Sequence, residues 1–438
     1  MEHQTIKLLS ESSKRSNLCN TSYPLRKEHW SEYKVEGFDL FQDEDELCVY
    51  IHIPFCDHLC SFCEYTKYLN RKDDKHKTYI NILERDIKDF FNNRDFKLYG
   101  FDIGGGTPTS LNITEFKRLM EIAKDINSSN NKALDFEPSI EGTFSTLSEE
   151  KIKLIVGAGF KRVSLGVQTT NTHLLLENNR KIVNLNKMKE TFKLLKVNGI
   201  EKINLDFMYG LKNQTKLDII NSLKIIRELN PEQVTLYEMR YNMVNDTAKQ
   251  DREALYEDYT EIYEYLTSIG YNARFSQNTF SKDNKDLGLS SYLRYRMIDN
   301  MSYKGFGIAA QSKSKLGVSY NVGKSSSTFN ESISRNTFYE EDIYVLSKEE
   351  LLAKYIAISM YYGEFDLGIM EGILKEDPRS YFKDEFEYLI SNNYIAINDN
   401  KVIITRPGFK YYSTVGAMFY SNKTKRFLIE SEVKSLNQ

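Results

Sequence analysis

The run Tyr50-Ile-His-Ile-Pro-Phe-Cys-Asp-His-Leu-Cys-Ser-Phe-Cys63 places Cys56, Cys60 and Cys63 four and then three residues apart. On a loop, thiols at that spacing can converge on one metal centre, and thiolates are soft ligands that select zinc, copper(I) or iron–sulfur clusters. A structural zinc site closes with four ligands, usually in CxxC pairs, and no second pair follows downstream. Three cysteines alone suit a 4Fe-4S cluster whose fourth iron is left open to a substrate or cofactor. Zinc remains the alternative if His52 or His58 completes the site.

Composition sets the frame around that loop. The 438 residues leave room for two or three domains and a large core. A net charge of -3 argues against a dedicated nucleic-acid surface. Five cysteines, three of them clustered, do not read as a disulfide framework and point to a reducing compartment. Met1 to Asn20 is polar and lacks an apolar signal core, and no apolar run is long enough to span a membrane. The expectation is a cytoplasmic protein with no membrane partner.

Short β-like runs alternate with amphipathic helical patterns. The expected strands are Leu47–Ile53, Leu98–Ile103, Leu134–Glu141, Arg162–Val167, Lys202–Met208, Gln233–Glu238 and Tyr271–Gln277. In Asp251–Ile269, apolar Leu255, Tyr259, Ile262, Leu266 and Ile269 recur at helical spacing before Gly270, and Ser148 is a natural N-cap for a helix to Val156. Strand–helix repeats imply parallel strands with right-handed crossovers, hence an α/β open sheet or partial barrel with its ligand site at the C-terminal strand ends. From 325 the pattern changes. Ser325–Asn336 reads as a loop, Ser347-Lys-Glu-Glu350 as a capping box opening the helix Leu351–Tyr361, Glu385–Asn392 as a helix, and Tyr394–Asn398 with Lys401–Thr405 as a hairpin. The expected division is an N-terminal arm (1–46), an α/β core (47–324) and a C-terminal helical, winged-helix-like domain (325–438).

Tyr50–Cys63 resembles the cluster loop of radical S-adenosylmethionine (radical SAM) enzymes, within that superfamily the oxygen-independent coproporphyrinogen III oxidase group. Other runs match the group in the same order: Gly104-Gly-Gly-Thr-Pro-Thr109 after a strand, Arg162-Val-Ser-Leu-Gly-Val-Gln168, Asn204-Leu-Asp-Phe-Met-Tyr-Gly-Leu211 and Tyr303-Lys-Gly-Phe-Gly-Ile-Ala-Ala-Gln-Ser312. The resemblance implies a partial (β/α) radical SAM barrel with an arm before it and a small domain after it. It also implies a 4Fe-4S cluster on Cys56, Cys60 and Cys63 whose open iron chelates S-adenosylmethionine. Reductive cleavage then gives a 5′-deoxyadenosyl radical that abstracts hydrogen from a small-molecule substrate, with electrons from a donor such as flavodoxin or ferredoxin. The implied cofactor-binding set is Tyr50, Phe62, Gly105, Gly106, Thr107, Glu141, Gln168, Arg180 and Asp206. Glycines admit the methionine moiety, Arg180 meets its carboxylate, Glu141 its amine or ribose, and Asp206 the ribose hydroxyls.

The chain departs from the porphyrinogen enzymes in three places. Cys19-Asn20 stands where their arm carries an arginine placed for substrate propionates, Glu64-Tyr65 where they have Gly-Cys, and Lys212 where they have proline. Relatives that keep the architecture but lose those residues include radical SAM methyltransferases of class C, which bind two S-adenosylmethionine molecules. Phe62 and Glu64-Tyr65 would lie near the second molecule. The expected reaction is therefore methyl or methylene transfer to an aromatic or unsaturated small molecule. The alternatives are oxidative decarboxylation of coproporphyrinogen III and another form of tetrapyrrole or haem handling.

Overall fold

The computed structural model describes residues 23, 27–70, 75–92, 94–240, 251–323, 325–338 and 342–436. Six strands build the centre: β1 (Glu46–Ile53), β2 (Lys97–Gly105), β3 (Ser139–Gly142), β4 (Arg162–Gln168), β5 (Lys202–Tyr209) and β6 (Gln233–Glu238). Each pairs in parallel with the next, and Tyr303–Phe306 adds a parallel neighbour on the free side of β1. Beyond these the sheet continues with antiparallel strands to twelve in all, ending at Lys34–Val35 on one edge and Thr279–Ser281 on the other. The two ends do not meet, so the barrel is partial.

Alternation along the strands explains the two faces. Ile51, Ile103, Ile140, Val163, Leu165, Ile203, Leu205, Val234 and Leu236 are buried and belong to one apolar core. The intervening residues on the other face are polar: Asp102, Ser139, Arg162, Ser164, Asn204, Gln233 and Thr235 are buried as well. Polar groups out of water must pair with one another, and these do. Arg162 donates to Gln233 (2.7 Å) and Ser139 (2.8 Å), Asn204 to Ser164 (2.9 Å) and Asp206 (2.7 Å), and Thr235 to Asn204 (3.0 Å). The partial barrel thus has a hydrogen-bonded polar interior and an apolar outer wall covered by helices.

Helix starts follow the sequence signals. Asn112, Ser148, Thr215 and Asp251 accept backbone N–H groups as N-caps of the helices Ile113–Asn127, Glu149–Gly157, Lys216–Leu229 and Arg252–Ser268. After the barrel, Ser291–Met297 packs across β1 and β2. A Cβ on Gly100 would stand 2.4 Å from the Tyr292 backbone, so this crossing requires glycine. No helix among the described residues is long and apolar enough to cross a membrane.

Four expectations are corrected. Tyr271–Gln277 is not a strand: Ser276 has φ 87°, and the Gln277 side chain accepts from Arg274 N–H at 2.8 Å, closing a turn. The neighbouring strand is Thr279–Ser281. Of Leu134–Glu141 only its end pairs, as Ser139–Gly142, and Leu134 lies exposed. Ser325–Asn336 contains a helix, Ser326–Ser334, opened by a capping box between Ser325 and Thr328. Conversely, Ser347 caps Lys348–Ser359 without closing a box, because the Glu350 carboxylate accepts from Tyr23 (2.7 Å) and Trp30 (2.8 Å).

The C-terminal part carries helices Lys348–Ser359, Leu367–Leu374 and Lys383–Ser391 with a hairpin, Ile395–Asn398 and Lys401–Ile404, joined by Glu364–Asp366 into a three-stranded sheet. Helices beside a small antiparallel sheet give the winged-helix-like form. The main sheet draws one strand, Asp342–Val345, from this part and one, Lys34–Val35, from the arm. Cys19 and Asn20 lie outside the described residues.

Candidate active site

The cysteine loop crosses the C-terminal end of β1 and is tied down at its base. Phe55–Cys56 pairs in parallel with Tyr68–Leu69, and the Gly-rich turn after β2 binds it through Gly106 N–H to Ile53 and Thr107 N–H to Phe55, both 2.8 Å. A Cβ on Gly106 would come within 2.8 Å of the Pro54 backbone and 2.9 Å of Cys56 Sγ. Glycine is what lets the two loops nest. Farther along, Ser61 donates to Asn178 (2.6 Å) and Asn179 to the Leu59 carbonyl (3.1 Å). The segment carrying Arg180 therefore holds the outer side of the loop.

Cys56, Cys60 and Cys63 are free thiols lining one cavity. Burial pushes the Cys56 thiol up to about 12 and also raises Cys63, where Lys67 offsets part of the effect. A bound cationic centre would favour their thiolate forms. Among the described residues no three of His, Cys, Asp or Glu stand close enough to share one metal ion. A cluster asks less, since its three thiolates bind three different irons. His52 is no fourth ligand for zinc. Its ring lies under Gly105 with Nε2 3.0 Å from the Thr66 carbonyl, and burial lowers its pKa to about 4.

Opposite the thiols stand the strand-end residues. Glu141, at the end of β3, accepts from Gly105 N–H at 3.3 Å. Burial pushes its carboxyl up to about 8, and Asp206 and Asp102 add repulsion. Asp206 on β5 is also raised by burial, against the opposing donors Ser164 (3.0 Å) and Asn204. Two desolvated carboxyls on strands flanking β4 favour a cationic or hydroxyl-rich ligand. Gln168 ends β4 with φ 68° after a register shift at Gly166, a bulge that re-aims its side chain. Its amide oxygen is buried without a hydrogen-bond partner. Arg180 donates to the Gly166 carbonyl at 2.5 Å, and its other terminal nitrogen lies 3.8 Å from Cys60 Sγ.

The cavity brings together Cys56, Cys60, Phe62, Cys63, Gly105, Gly106, Thr107, Glu141, Gln168, Arg180 and Asp206. Tyr50 is not among its lining. The ring stacks on Tyr292 at 5.5 Å and 21°, within the barrel interior. Counting its open mouth and the solvent there, the cavity encloses about 1510 Å³. Sequence reasoning misses Ser164, Tyr237, Arg240 and Tyr361, which also line it. Arg240 closes a two-bond ion pair on Glu64 at 2.8 and 2.6 Å. An arginine two residues past a strand end is the only sequence signal for that pair.

These residues fit a cluster and an adenosylmethionine. Three thiols face an arginine, two protonatable carboxyls and an orphan amide oxygen across a turn that admits no side chain.

Comparison with known proteins agrees. The Radical SAM superfamily profile matches residues 50–226. The heme chaperone HemW of Bacillus subtilis is 31% identical over 276 residues, covering 60% of this chain and 69% of the relative. For HemW of Haemophilus influenzae, also 31% identical, the chain spans only 63% of the relative's length. An oxygen-independent coproporphyrinogen III oxidase of Helicobacter pylori is 25% identical over 84% of this chain and 85% of its own. The structure of coproporphyrinogen III oxidase HemN from Escherichia coli superposes with a TM-score of 0.72 over 92% of this chain and 97% of that one, at 21% identity. These relatives lend no support to the expectation of methyl transfer. The chain is a radical SAM enzyme and belongs to the group that joins the oxygen-independent coproporphyrinogen III oxidases to the HemW chaperones.

Proposed function

We propose that the protein binds a 4Fe-4S cluster through Cys56, Cys60 and Cys63 and one S-adenosylmethionine beside it, and abstracts hydrogen from a small-molecule substrate. One observation carries the reading: three free thiols, the Arg180 guanidinium and the raised carboxyls of Glu141 and Asp206 face a single cavity at the parallel strand ends. When bound, the cluster and S-adenosylmethionine together supply a 5′-deoxyadenosyl radical. The chain's own residues bind and orient. Arg180 offers a planar fork to the methionine carboxylate, for which a guanidinium is better shaped than an ammonium. Glu141 accepts the α-ammonium and loses its proton in doing so. Asp206, held by Ser164 and Asn204, accepts ribose hydroxyls, and Gln168 offers its open amide oxygen. Tyr361, from the C-terminal part, helps to wall off water. Electrons come from a small reductant of the flavodoxin or ferredoxin class.

The test is anaerobic reconstitution followed by reduction. Wild type should show broad visible absorption from the cluster and form 5′-deoxyadenosine. Cys56→Ala, Cys60→Ala and Cys63→Ala should each lose both. A fully loaded cluster in any of the three would sink the ligand assignment.

The reaction beyond hydrogen abstraction divides three ways by product. Methyl or methylene transfer releases S-adenosylhomocysteine, and porphyrinogen decarboxylation releases carbon dioxide without it. Haem carriage, the role in the HemW names, releases little of either. For methyl transfer, a second adenosylmethionine would lie against Phe62, Glu64 and Tyr65. The Glu64 carboxylate there is already neutralised by Arg240, which weakens its attraction for a second sulfonium. Product chromatography with cell extract as substrate source separates the three.

A further inference from the structure

We propose that Lys67 sets the reduction potential of the cluster by holding a positive charge beside its thiolates. This rests on the cluster reading above and adds a residue that reading leaves out. Lys67 lines the cavity together with Cys56, Cys60 and Cys63, and its ammonium donates to the Cys63 carbonyl at 2.6 Å. Burial raises the Cys63 and Cys56 thiols, and Lys67 opposes that rise, at Cys63 by charge and a hydrogen bond and at Cys56 by charge. A single ammonium thus acts on two of the three sulfurs.

The backbone around Lys67 is fixed without help from its side chain. His52 Nε2 lies 3.0 Å from the Thr66 carbonyl, Tyr68 N–H donates to the Pro54 carbonyl at 2.7 Å, and Tyr68–Leu69 pairs with Phe55–Cys56. The loop closes on those bonds, so the charge needs another explanation. Nearby groups do not cancel it. Glu64 is paired with Arg240, and no carboxylate among the described residues forms an ion pair with Lys67. Thr107 and Arg180 approach the other two sulfurs, Cys56 at 3.7 Å and Cys60 at 3.8 Å. Thr107 is neutral, however, and the Arg180 charge faces the methionine carboxylate in the reading above.

Iron–sulfur potentials follow net charge, hydrogen bonds around the sulfurs and solvent exposure. Reduction moves one electron from a donor of the flavodoxin or ferredoxin class onto a centre that already carries three thiolates. The donor is oxidised and the cluster reduced; no bond breaks and no proton moves, so Lys67 stays an ammonium throughout. Lys67 is half-buried, and a charge partly out of water acts more strongly on its neighbours than a solvated one. It stabilises the added negative charge and raises the potential, which eases entry of the electron.

The test is a redox titration followed by electron paramagnetic resonance on the anaerobic, cluster-loaded protein without S-adenosylmethionine, so no turnover is involved. Wild type is compared with Lys67→Met, which keeps the side chain's length and drops its charge, with the neutral polar Lys67→Gln, and with Lys67→Arg. Both neutral variants should load the cluster with unchanged visible absorption per iron. At a fixed applied potential their ratio of reduced to oxidised cluster should fall roughly tenfold, a midpoint about 59 mV lower for one electron. Lys67→Arg should keep the wild-type midpoint. An unmoved midpoint in the neutral variants, or one lowered as far in Lys67→Arg, would overturn the proposal. Loss of the cluster from both neutral variants would overturn it too, because Lys67 would then hold the loop rather than tune the centre. A wild type that takes up no 4Fe-4S cluster would defeat the cluster reading and this proposal with it, whereas a loaded cluster with an unmoved midpoint defeats this proposal alone.

Discussion

Glu141 shows how one residue couples the cavity to pH. Its carboxyl is raised to about 8, first by burial and then by Asp206 and Asp102. Asp102, bonded to Ser290 at 2.6 Å, is raised to about 7 by burial. For a carboxyl raised in the folded state, the stabilising contribution is complete below its unfolded pKa, near 4–4.5, and is lost as pH rises through the folded value. The cofactor-free protein should therefore lose stability between about pH 5 and pH 8, and Glu141→Gln should flatten part of that slope in thermal melts. S-adenosylmethionine acts in the opposite sense, because its ammonium favours ionised Glu141. Affinity should tighten as pH rises toward about 8 and level off above it, with no such slope in Glu141→Gln. An unchanged slope in that variant would show that another group titrates. Arg180→Gln should weaken cofactor binding by roughly 10- to 100-fold, as expected for losing hydrogen bonds to a charged group of about 1.5–3 kcal/mol.

At the scale of elements, the sequence reveals what local patterns encode. Gln233–Glu238 is the same strand in both readings, and the N-caps at Ser148 and Asp251 act as their residue types require. The cysteine loop and the glycine turn are legible because they must be local. Partners across the fold are not. Arg162 reads as the start of a strand, and only the structure shows its guanidinium between Ser139 and Gln233, near the buried carboxyls of Asp102, Glu141 and Asp206. Tyr271–Gln277 looks like a strand because Tyr271 and Phe275 are apolar and buried, yet a turn at Ser276 spends those residues on packing against the preceding helix. The Gln168 bulge leaves no trace in the sequence. Two outcomes follow from these placements. Arg162→Met removes the shared counter-charge and should cost about 3–5 kcal/mol in denaturant unfolding, the range for breaking a buried charge network. Gly106→Ala forces the glycine turn off Cys56. It should lower iron content per chain even where the protein remains folded, and full cluster occupancy would contradict the nesting of the two loops.

Across the whole molecule, the arm, the barrel and the C-terminal part look separate in sequence, but the sheet runs through all three. Lys34–Val35 pairs with Asp342–Val345, which pairs with Gly317–Tyr320 beside the barrel. Trp30 and Tyr23 donate to Glu350, and Lys354 donates to the Tyr23 carbonyl at 2.9 Å, so arm and C-terminal helix share one buried polar knot. Arg274 and Glu364 (2.8 Å), with Ser359 on the Met297 carbonyl (2.8 Å), join the C-terminal part to the barrel side. Sequence cannot show this, since each partner is separated from the other by tens to hundreds of residues. The division at 46 and 324 is best taken as a proposal about evolutionary modules, and its physical counterpart is testable because Trp30 is the only tryptophan in the chain. Its fluorescence reports the knot, while far-UV circular dichroism reports all helices and strands. If sheet and knot bind the parts into one cooperative unit, both signals should unfold at the same denaturant concentration. Glu350→Gln, which keeps the shape but removes the charge that two buried donors share, should shift both transitions downward together by about 1–3 kcal/mol. A fluorescence transition that precedes the dichroism change would show that the arm and C-terminal part open before the barrel, leaving the cavity without its Tyr361 wall.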